Sequence, residues 1–217
     1  MQEPHTEQVS YFKFVMFCAV LVGLILFSMV FGGYSSFIRA ENRIAESKDA
    51  LLGSCEARLA LIADLTRILD SQALSGNSSS LLPNLERASA VVREAARGKT
   101  ILDEQTTRSL EASQSALTRD IGEQMQRLRA AVGGENRAEV LSLAEKFLAA
   151  EDNLFLAGRN YREEIAYYNM RLQSFPVSLI ARLFDFDKSV YHQVSDQAFL
   201  PARKTLQPYL TEKRENS

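Results

Sequence analysis

A long run without a charged residue, from Phe14 to Ile38, restricts what this chain can fold into more than any other feature. Lys13 and Arg39 bound the run, and large apolar residues dominate its first part, Phe14 to Phe31. About 20 apolar residues in a helix cross the ~30 Å hydrocarbon layer of a bilayer. Backbone polar groups in lipid must be hydrogen-bonded within the segment itself. The run therefore predicts one transmembrane helix over residues 14–38, preceded by an N-terminal tail of residues 1–13.

A cleaved signal peptide is the alternative interpretation of this run. Signal peptides begin with basic residues and have an apolar stretch of about 7–15 residues. Residues 1–10 contain Glu3 and Glu7 but no Lys or Arg, the apolar run is longer, and no small-x-small cleavage pattern follows it cleanly. These features favour a retained anchor, so the lipid bilayer is the first predicted partner, through residues 14–38.

The basic residues beside the run predict its orientation. Lys13 precedes it, whereas Arg39, Arg43 and Lys48 follow within a short distance. An excess of Lys and Arg marks the cytoplasmic side of a span. The N-terminus is therefore predicted outside and the C-terminal domain in the cytoplasm.

Charge composition argues against a nucleic-acid partner. The chain has 217 residues, with 25 Lys plus Arg and 27 Asp plus Glu. Nucleic-acid binding needs a basic surplus on one face, which this balance does not indicate. The residues beyond the run suffice for about one domain. Cys18 and Cys55 lie far apart on what is predicted as one helix, so no disulfide between them is expected.

Helical periodicity continues from Arg39 onward and predicts an all-α fold. One helix is expected to leave the bilayer and run to about Leu74, where a Ser- and Gly-rich stretch breaks it. Two more are expected, from near Leu81 to Gly98 and from about Leu102 to Val132. Each would leave an apolar face in water, so they must pack together. The predicted fold is an N-terminal transmembrane helix continuing into an antiparallel bundle of three to four long helices, with the bundle domain at residues 39–194 and a tail at 195–217.

The last long helix, the fourth expected in the chain and hence called α4, has a heptad pattern from Val140 to Phe175. We call the positions of this pattern the α4 seam. Alternating four- and three-residue steps predict left-handed supercoiling against partner helices. Glu151 is the one ionised member, and we expect it either to pair with Arg58 or Arg127 or to reach water at an edge. The seam residues are Val140, Ala144, Phe147, Glu151, Leu154, Gly158, Tyr161, Ile165, Tyr168, Leu172 and Phe175.

A short apolar stretch follows Pro176, and we call residues 177–186 the contact segment. It has two interpretations. It either caps the bundle by burying Ile180, Phe184 and Phe186, or lies in a membrane interface with Arg182 and Lys188 towards the headgroups. Because exposed apolar patches tend to mark interfaces, the segment is also the predicted partner contact. The candidate contact residues are Leu179, Ile180, Leu183, Phe184 and Phe186.

The same region carries a family resemblance. Residues 168–176 read Tyr-Asn-Met-Arg-Leu-Gln-Ser-Phe-Pro, and Leu-Phe, Phe186 and Tyr191 follow. This resembles the C-terminal signature of the LemA family, with Asp185 where the family usually has Gly. Upstream, Asn42-Arg43-Ile44 resembles the family's Asn-x-Val, and residues 61–65 occupy the site of its Leu-Ile-Pro-Asn-Leu block. The resemblance implies a bacterial single-span protein of the cytoplasmic membrane with a helical-bundle domain. It implies no reaction.

Catalytic patterns are missing from the sequence. Di-iron bundles need Glu-x-x-His on two helices, but Ser189 stands at the required position before His192, and the other His, His5, lies in the N-terminal tail. Zinc sites need clustered Cys and His, and the two carboxylates Asp185 and Asp187 are too few for a calcium loop. We therefore predict no enzyme, no cofactor and no metal.

The functional hypothesis is a membrane-anchored structural or protein-interaction module with an unknown protein partner, and homo-oligomerisation is an open possibility. One alternative is a sensor or adaptor in which binding shifts helix register through the first helix. Another is a non-catalytic regulator of an enzyme complex.

Overall fold

The computed structural model describes residues 5–71, 81–131, 137–184 and 186, and within these ranges it contains helices and no strand. The predicted all-α class is confirmed. The described helices are α1 (His5–Ser71), α2 (Leu81–Arg97), α3 (Glu104–Ala131), α4 (Arg137–Gln173) and α5 (Val177–Leu183). The apolar run and the first bundle helix are both parts of α1. The predicted C-terminal tail, together with Asp185, Asp187 and His192, lies outside the described residues.

Local signals explain where the helices begin and end. Gly98 ends α2, and its N–H donates to the carbonyl of Glu94 at 3.0 Å. Asp103 caps the start of α3 because its carboxylate accepts a 2.7 Å hydrogen bond from the Thr106 N–H. This hydrogen bond lowers the pKa of Asp103. Pro176 lies between α4 and α5, as expected of a residue that cannot continue a helix.

The chain divides into two compact units, which we describe separately. Of the described residues, those within Asn42–Tyr167 form the bundle unit, and residues 5–41 and 168–186 (except 185) form the small unit. The predicted domain bounds stay a prediction.

Three charged pairs show that α1 and α4 are antiparallel in the bundle unit. Arg43 Nε lies 3.0 Å from Glu164 Oε2, Arg58 Nε lies 2.5 Å from Glu151 Oε1, and Arg67 Nη2 lies 3.8 Å from Glu139 Oε1. Residue numbers rise along α1 as they fall along α4. The predicted antiparallel bundle is therefore confirmed.

The bundle core contains the periodic residues of all four long helices. Every α4 seam residue from Val140 to Leu172 is buried, but Phe175 is 81% exposed, so its predicted burial is wrong. The physical reason is that α4 ends at Gln173, and a residue in the following turn no longer follows the heptad. Supercoiling of the helices stays a prediction. The core cluster includes Ile62, Leu65, Leu69, Leu81, Ala88, Leu117, Ile121, Met125, Leu128 and Phe147.

The apolar part of α1 is exposed. Between Phe14 and Phe31, its large side chains other than the half-buried Val30 keep between 36% (Met29) and 69% (Phe27) of their surface accessible. By length and composition, α1 is the helix in the described part of the chain that could cross a membrane.

Candidate functional site

A buried arginine joins three helices inside the bundle unit. Arg58 of α1 is fully buried, and its Nη1 donates to the carbonyl of Gln114 at 3.1 Å and to Gln114 Oε1 at 2.8 Å. Its Nη2 donates to Thr118 Oγ1. Its Nε forms the ion pair with Glu151 of α4. We call these four residues the Arg58 network.

The ion pair decides between the two expectations for Glu151. This carboxylate is only 5% exposed, so pairing with Arg58 is confirmed and the water-exposed edge position is wrong. Burial raises the pKa of Glu151, and the Arg58 guanidinium opposes that rise. Arginine stays protonated under ordinary conditions. The network therefore holds a desolvated charge whose partners come from α3 and α4.

Cys55 lies on α1 close to the Arg58 network. It is fully buried, and burial raises the pKa of its thiol to about 12, with Arg58 opposing the rise. So high a pKa keeps the thiol protonated at neutral pH, whereas the thiolate is the form that acts as a nucleophile. Among the described residues, no group of three or more His, Cys, Asp and Glu could hold a metal ion. The geometry of the network thus favours a structural role that fixes the register of α1 against α3 and α4.

Two side chains hold the connection between α2 and α3. The Tyr161 hydroxyl accepts a 2.9 Å hydrogen bond from the Leu102 N–H and donates to the carbonyl of Thr100 at 3.3 Å. Lys48 Nζ donates to the carbonyls of Gly98 and Lys99 at 3.1 and 2.9 Å. Lys48 is 5% exposed, and burial lowers its pKa. In the sequence, Lys48 is recognisable only as a basic residue that follows the apolar run. Its hydrogen bonds to these two carbonyls were not predicted.

The tyrosines of α4 divide between core and surface. Tyr161 and Tyr168 are buried, at 4% and 2% exposed. In the small unit the Tyr168 hydroxyl donates to Glu41 Oε1 at 3.4 Å. Tyr167 is exposed, and the Arg43 guanidinium lies 5.3 Å from its ring centroid. Tyr161 and Tyr168 thus serve as core rings whose hydroxyls are hydrogen-bonded, whereas Tyr167 belongs to the surface.

The contact segment packs on α1 within the small unit. Ile180 is 4% exposed. The Phe184 ring lies 5.0 Å from the Tyr34 ring, and the Phe186 ring lies 4.7 Å from the Phe37 ring. Phe186 is half-buried, whereas Phe184 keeps 44% of its surface exposed.

The other face of the segment points away from α1. Leu179 and Leu183 are 56% and 71% exposed, and Phe175 in the preceding turn is 81% exposed. Arg182 is also exposed, while Lys188 lies outside the described residues. Among the candidate contact residues, Ile180 and Phe186 are packed, and Leu179 and Leu183 are exposed. Phe184 is intermediate, because its ring packs on Tyr34 while 44% of its surface stays exposed. We call Phe175, Leu179, Leu183 and the exposed part of Phe184 the outer face.

Ile180 packs directly against Gly33. A Cβ at Gly33 would collide with Cδ1 of Ile180, whereas a Cβ at Gly32 would meet nothing within 4 Å. Glycine lets two helices approach closely, as in many membrane helix pairs. The Gly-Gly pair near the end of the apolar run is the sequence signal for such an approach, but it does not reveal which glycine is used or what packs there.

Comparison with known protein families gives a match to a family model. The family model described as the LemA family matches residues 86–203, which is just over half of the chain. The match includes α3, α4 and α5, and so contains the α4 seam and the contact segment. Comparison with curated proteins and with solved structures gives no match. The chain belongs to the LemA family.

Proposed function

We propose that this protein is a membrane-anchored helical bundle that serves as a structural or protein-interaction module. The observation that carries the proposal is the exposure of large apolar side chains along α1 between Phe14 and Phe31. Contiguous apolar surface of this kind is unfavourable in water and favourable in hydrocarbon. The same helix then enters a bundle whose core is apolar, so anchor and module belong to one element.

The polar groups of the bundle support a module without catalytic chemistry. Arg58 and Glu151 form an ion pair, Lys48 binds backbone carbonyls, and the Tyr161 hydroxyl holds the α2–α3 connection. These groups are committed to packing. In this proposal the outer face is the contact surface of the small unit. A protein partner or a second copy of the chain binds the bundle unit.

Location and orientation complete the proposal. The protein spans the bacterial cytoplasmic membrane once, with its bundle in the cytoplasm, because Arg39, Arg43 and Lys48 follow the apolar run and only Lys13 precedes it.

Membrane fractionation of the full chain tests the anchor. We expect the protein to remain in the pellet after alkaline carbonate extraction and to retain its N-terminal residues. A matched variant with Leu21→Arg and Leu24→Arg should lose carbonate resistance, because arginine at the centre of a span costs about 2.5–3.5 kcal/mol. A soluble mature chain that begins beyond Arg39 would overturn the proposal. Protection of a C-terminal tag from protease in spheroplasts tests the orientation.

The sensor or adaptor alternative has one observation in its favour. The Arg58 network links α1, α3 and α4 through a desolvated charge, which could act as a registry device if it had a second arrangement. Spin labels at the exposed positions Glu56 of α1 and Asp152 of α4 would then show two distance populations. A single distance population under all conditions would contradict the sensor alternative and favour the structural module. The regulator alternative requires recovery of an enzyme as a crosslinked partner.

A further inference from the structure

We infer that the outer face of the contact segment lies in the headgroup–acyl interface of the bilayer that α1 spans. This inference rests on the proposed membrane anchor, and it names lipid as what Phe175, Leu179, Leu183 and Phe184 contact. The segment would thus be a second, shallow attachment to the membrane.

Depth is the first argument. The contact segment packs on α1 at Gly33, Tyr34 and Phe37, which belong to the last two turns of the uncharged run. The first charged residue, Arg39, follows Gly33 after about 9 Å of helix. If the run spans the bilayer, these turns lie at its boundary. The packing contacts then hold the contact segment at that boundary as well.

The division of α5 into two faces is the second argument. Ile180 and Ala181 are each 4% exposed, so one face is occupied by packing within the small unit. Leu179 and Leu183 are four residues apart and therefore on one side of the helix, and both are exposed. An apolar stripe opposite the packed face is the arrangement by which interfacial helices bury themselves in lipid.

Charge and aromatic placement are the third argument. Arg182 and Arg39 are exposed on the same unit, and long basic side chains at this depth reach lipid phosphates. Tyr34 and Phe184, whose rings pack 5.0 Å apart, are partly exposed. Aromatic rings are typical of the membrane–water boundary.

Attachment through α1 removes the objection that so short a helix binds membranes weakly. A helix of seven residues has little affinity of its own. Here the packing of Ile180 on Gly33 already holds α5 beside the bilayer. Insertion of α5 into the interface is therefore an intramolecular step and loses little association entropy. The segment thus packs on α1 with one face and, in this inference, contacts lipid with the other.

Depth measurements by spin labelling test the inference in the full chain. The protein, with Cys18→Ala and Cys55→Ala, is reconstituted in phosphatidylcholine vesicles containing some phosphatidylglycerol. Single variants Leu179→Cys and Leu183→Cys carry a nitroxide, and its collisions with oxygen and with a water-soluble nickel chelate are compared. Leu24→Cys serves as the reference inside the span and Leu156→Cys, which is 52% exposed on α4, as the reference in water.

We expect the oxygen-to-nickel collision ratio at Leu179 and Leu183 to be several-fold higher than at Leu156 and lower than at Leu24. A water-like ratio at both positions, with a lipid-like ratio at Leu24, would overturn the inference and leave the anchor intact. A water-like ratio at Leu24 as well would overturn the proposed function. Labels shielded from both reagents would show a protein contact, from a partner or a second copy, and would also overturn the inference.

A glycine pair supplies the matched variants. Gly33→Leu should displace Ile180 and lower the ratio at Leu183 towards the water value, whereas Gly32→Leu should leave it unchanged because nothing lies within 4 Å of that position. Circular dichroism checks that both variants keep the bundle. An unchanged ratio in Gly33→Leu would show that the packing on Gly33 does not set the depth of the contact segment.

Discussion

Arg58 and Glu151 form an ion pair that water does not reach. Their Nε and Oε1 atoms lie 2.5 Å apart, and the two side chains are 0% and 6% exposed. A buried pair repays the cost of desolvation only when its remaining donors are bonded, and Gln114 and Thr118 bond those of Arg58. The pair therefore specifies how α1, α3 and α4 align more than it adds to stability.

Removing one partner should destabilise the bundle strongly. We expect Glu151→Ala to lower the free energy of unfolding by about 3–5 kcal/mol, because it leaves the Arg58 charge buried without its counter-ion. Chemical denaturation of the full chain in detergent, followed by circular dichroism, measures this loss. The double variant Arg58→Met with Glu151→Leu should lose much less. Glu139→Ala, at an exposed pair with Arg67, is the control and should cost about 0–1 kcal/mol. Equal losses at both pairs would contradict the argument.

Truncating the Tyr161 hydroxyl should loosen the α2–α3 connection. Tyr161→Phe leaves the buried N–H of Leu102 without its acceptor, which costs about 1–3 kcal/mol. Hydrogen exchange at the Leu102 amide should accelerate, and the unfolding midpoint should fall. Tyr167→Phe is the matched control, since this exposed ring should change stability by less than about 0.5 kcal/mol. Unchanged exchange at Leu102 would disprove the proposed role of Tyr161.

Glu111 should give the bundle a measurable pH dependence. It lies half-buried on α3, and burial raises its pKa above the ordinary 4.5, with Arg162 and Arg108 opposing the rise. A raised pKa contributes stability that is fully present below the unfolded value and is lost as the pH rises through the folded value. Glu111→Gln removes this loss, so the variant should gain stability over the wild type as the pH rises from 4 to 7. Glu123→Gln, at an exposed position, is the control. A gain that shrinks as the pH rises would reverse the assigned sign.

Cys55 should report opening of the bundle. Its pKa of about 12 leaves roughly one thiol in ten thousand ionised at pH 8. In a Cys18→Ser variant we expect iodoacetamide to modify the folded protein more slowly than the urea-unfolded protein, by about a factor of a thousand or more. Mass spectrometry of the alkylated chain measures both rates. Similar rates in the two states would show that Cys55 is accessible in the fold.

Features repeated along the chain were predictable, and those that depend on distant pairing were not. Periodicity reports which residues are buried, so the α4 seam from Val140 to Leu172 could be predicted. The pairing of Glu151 left two candidate arginines, because choosing Arg58 requires the register between α1 and α4. Likewise, nothing near Lys48 in sequence indicates that its ammonium group binds carbonyls at the end of α2.

The contact segment shows a different limit of sequence reasoning. Composition identifies it as apolar but does not say which face packs. Only the position of Ile180 over Gly33 separates Ile180 and Phe186, which pack on α1, from Leu179 and Leu183, which remain exposed.

The hydroxyl of Tyr161 has a consequence for the order in which the protein matures on the ribosome. It satisfies backbone groups in the α2–α3 connection that precede it by 59 and 61 residues. A chain that has grown only as far as the end of α3 lacks the hydroxyl to which the Leu102 N–H donates in the fold. The α2–α3 connection therefore reaches the arrangement seen in the fold only after α4 has been synthesised.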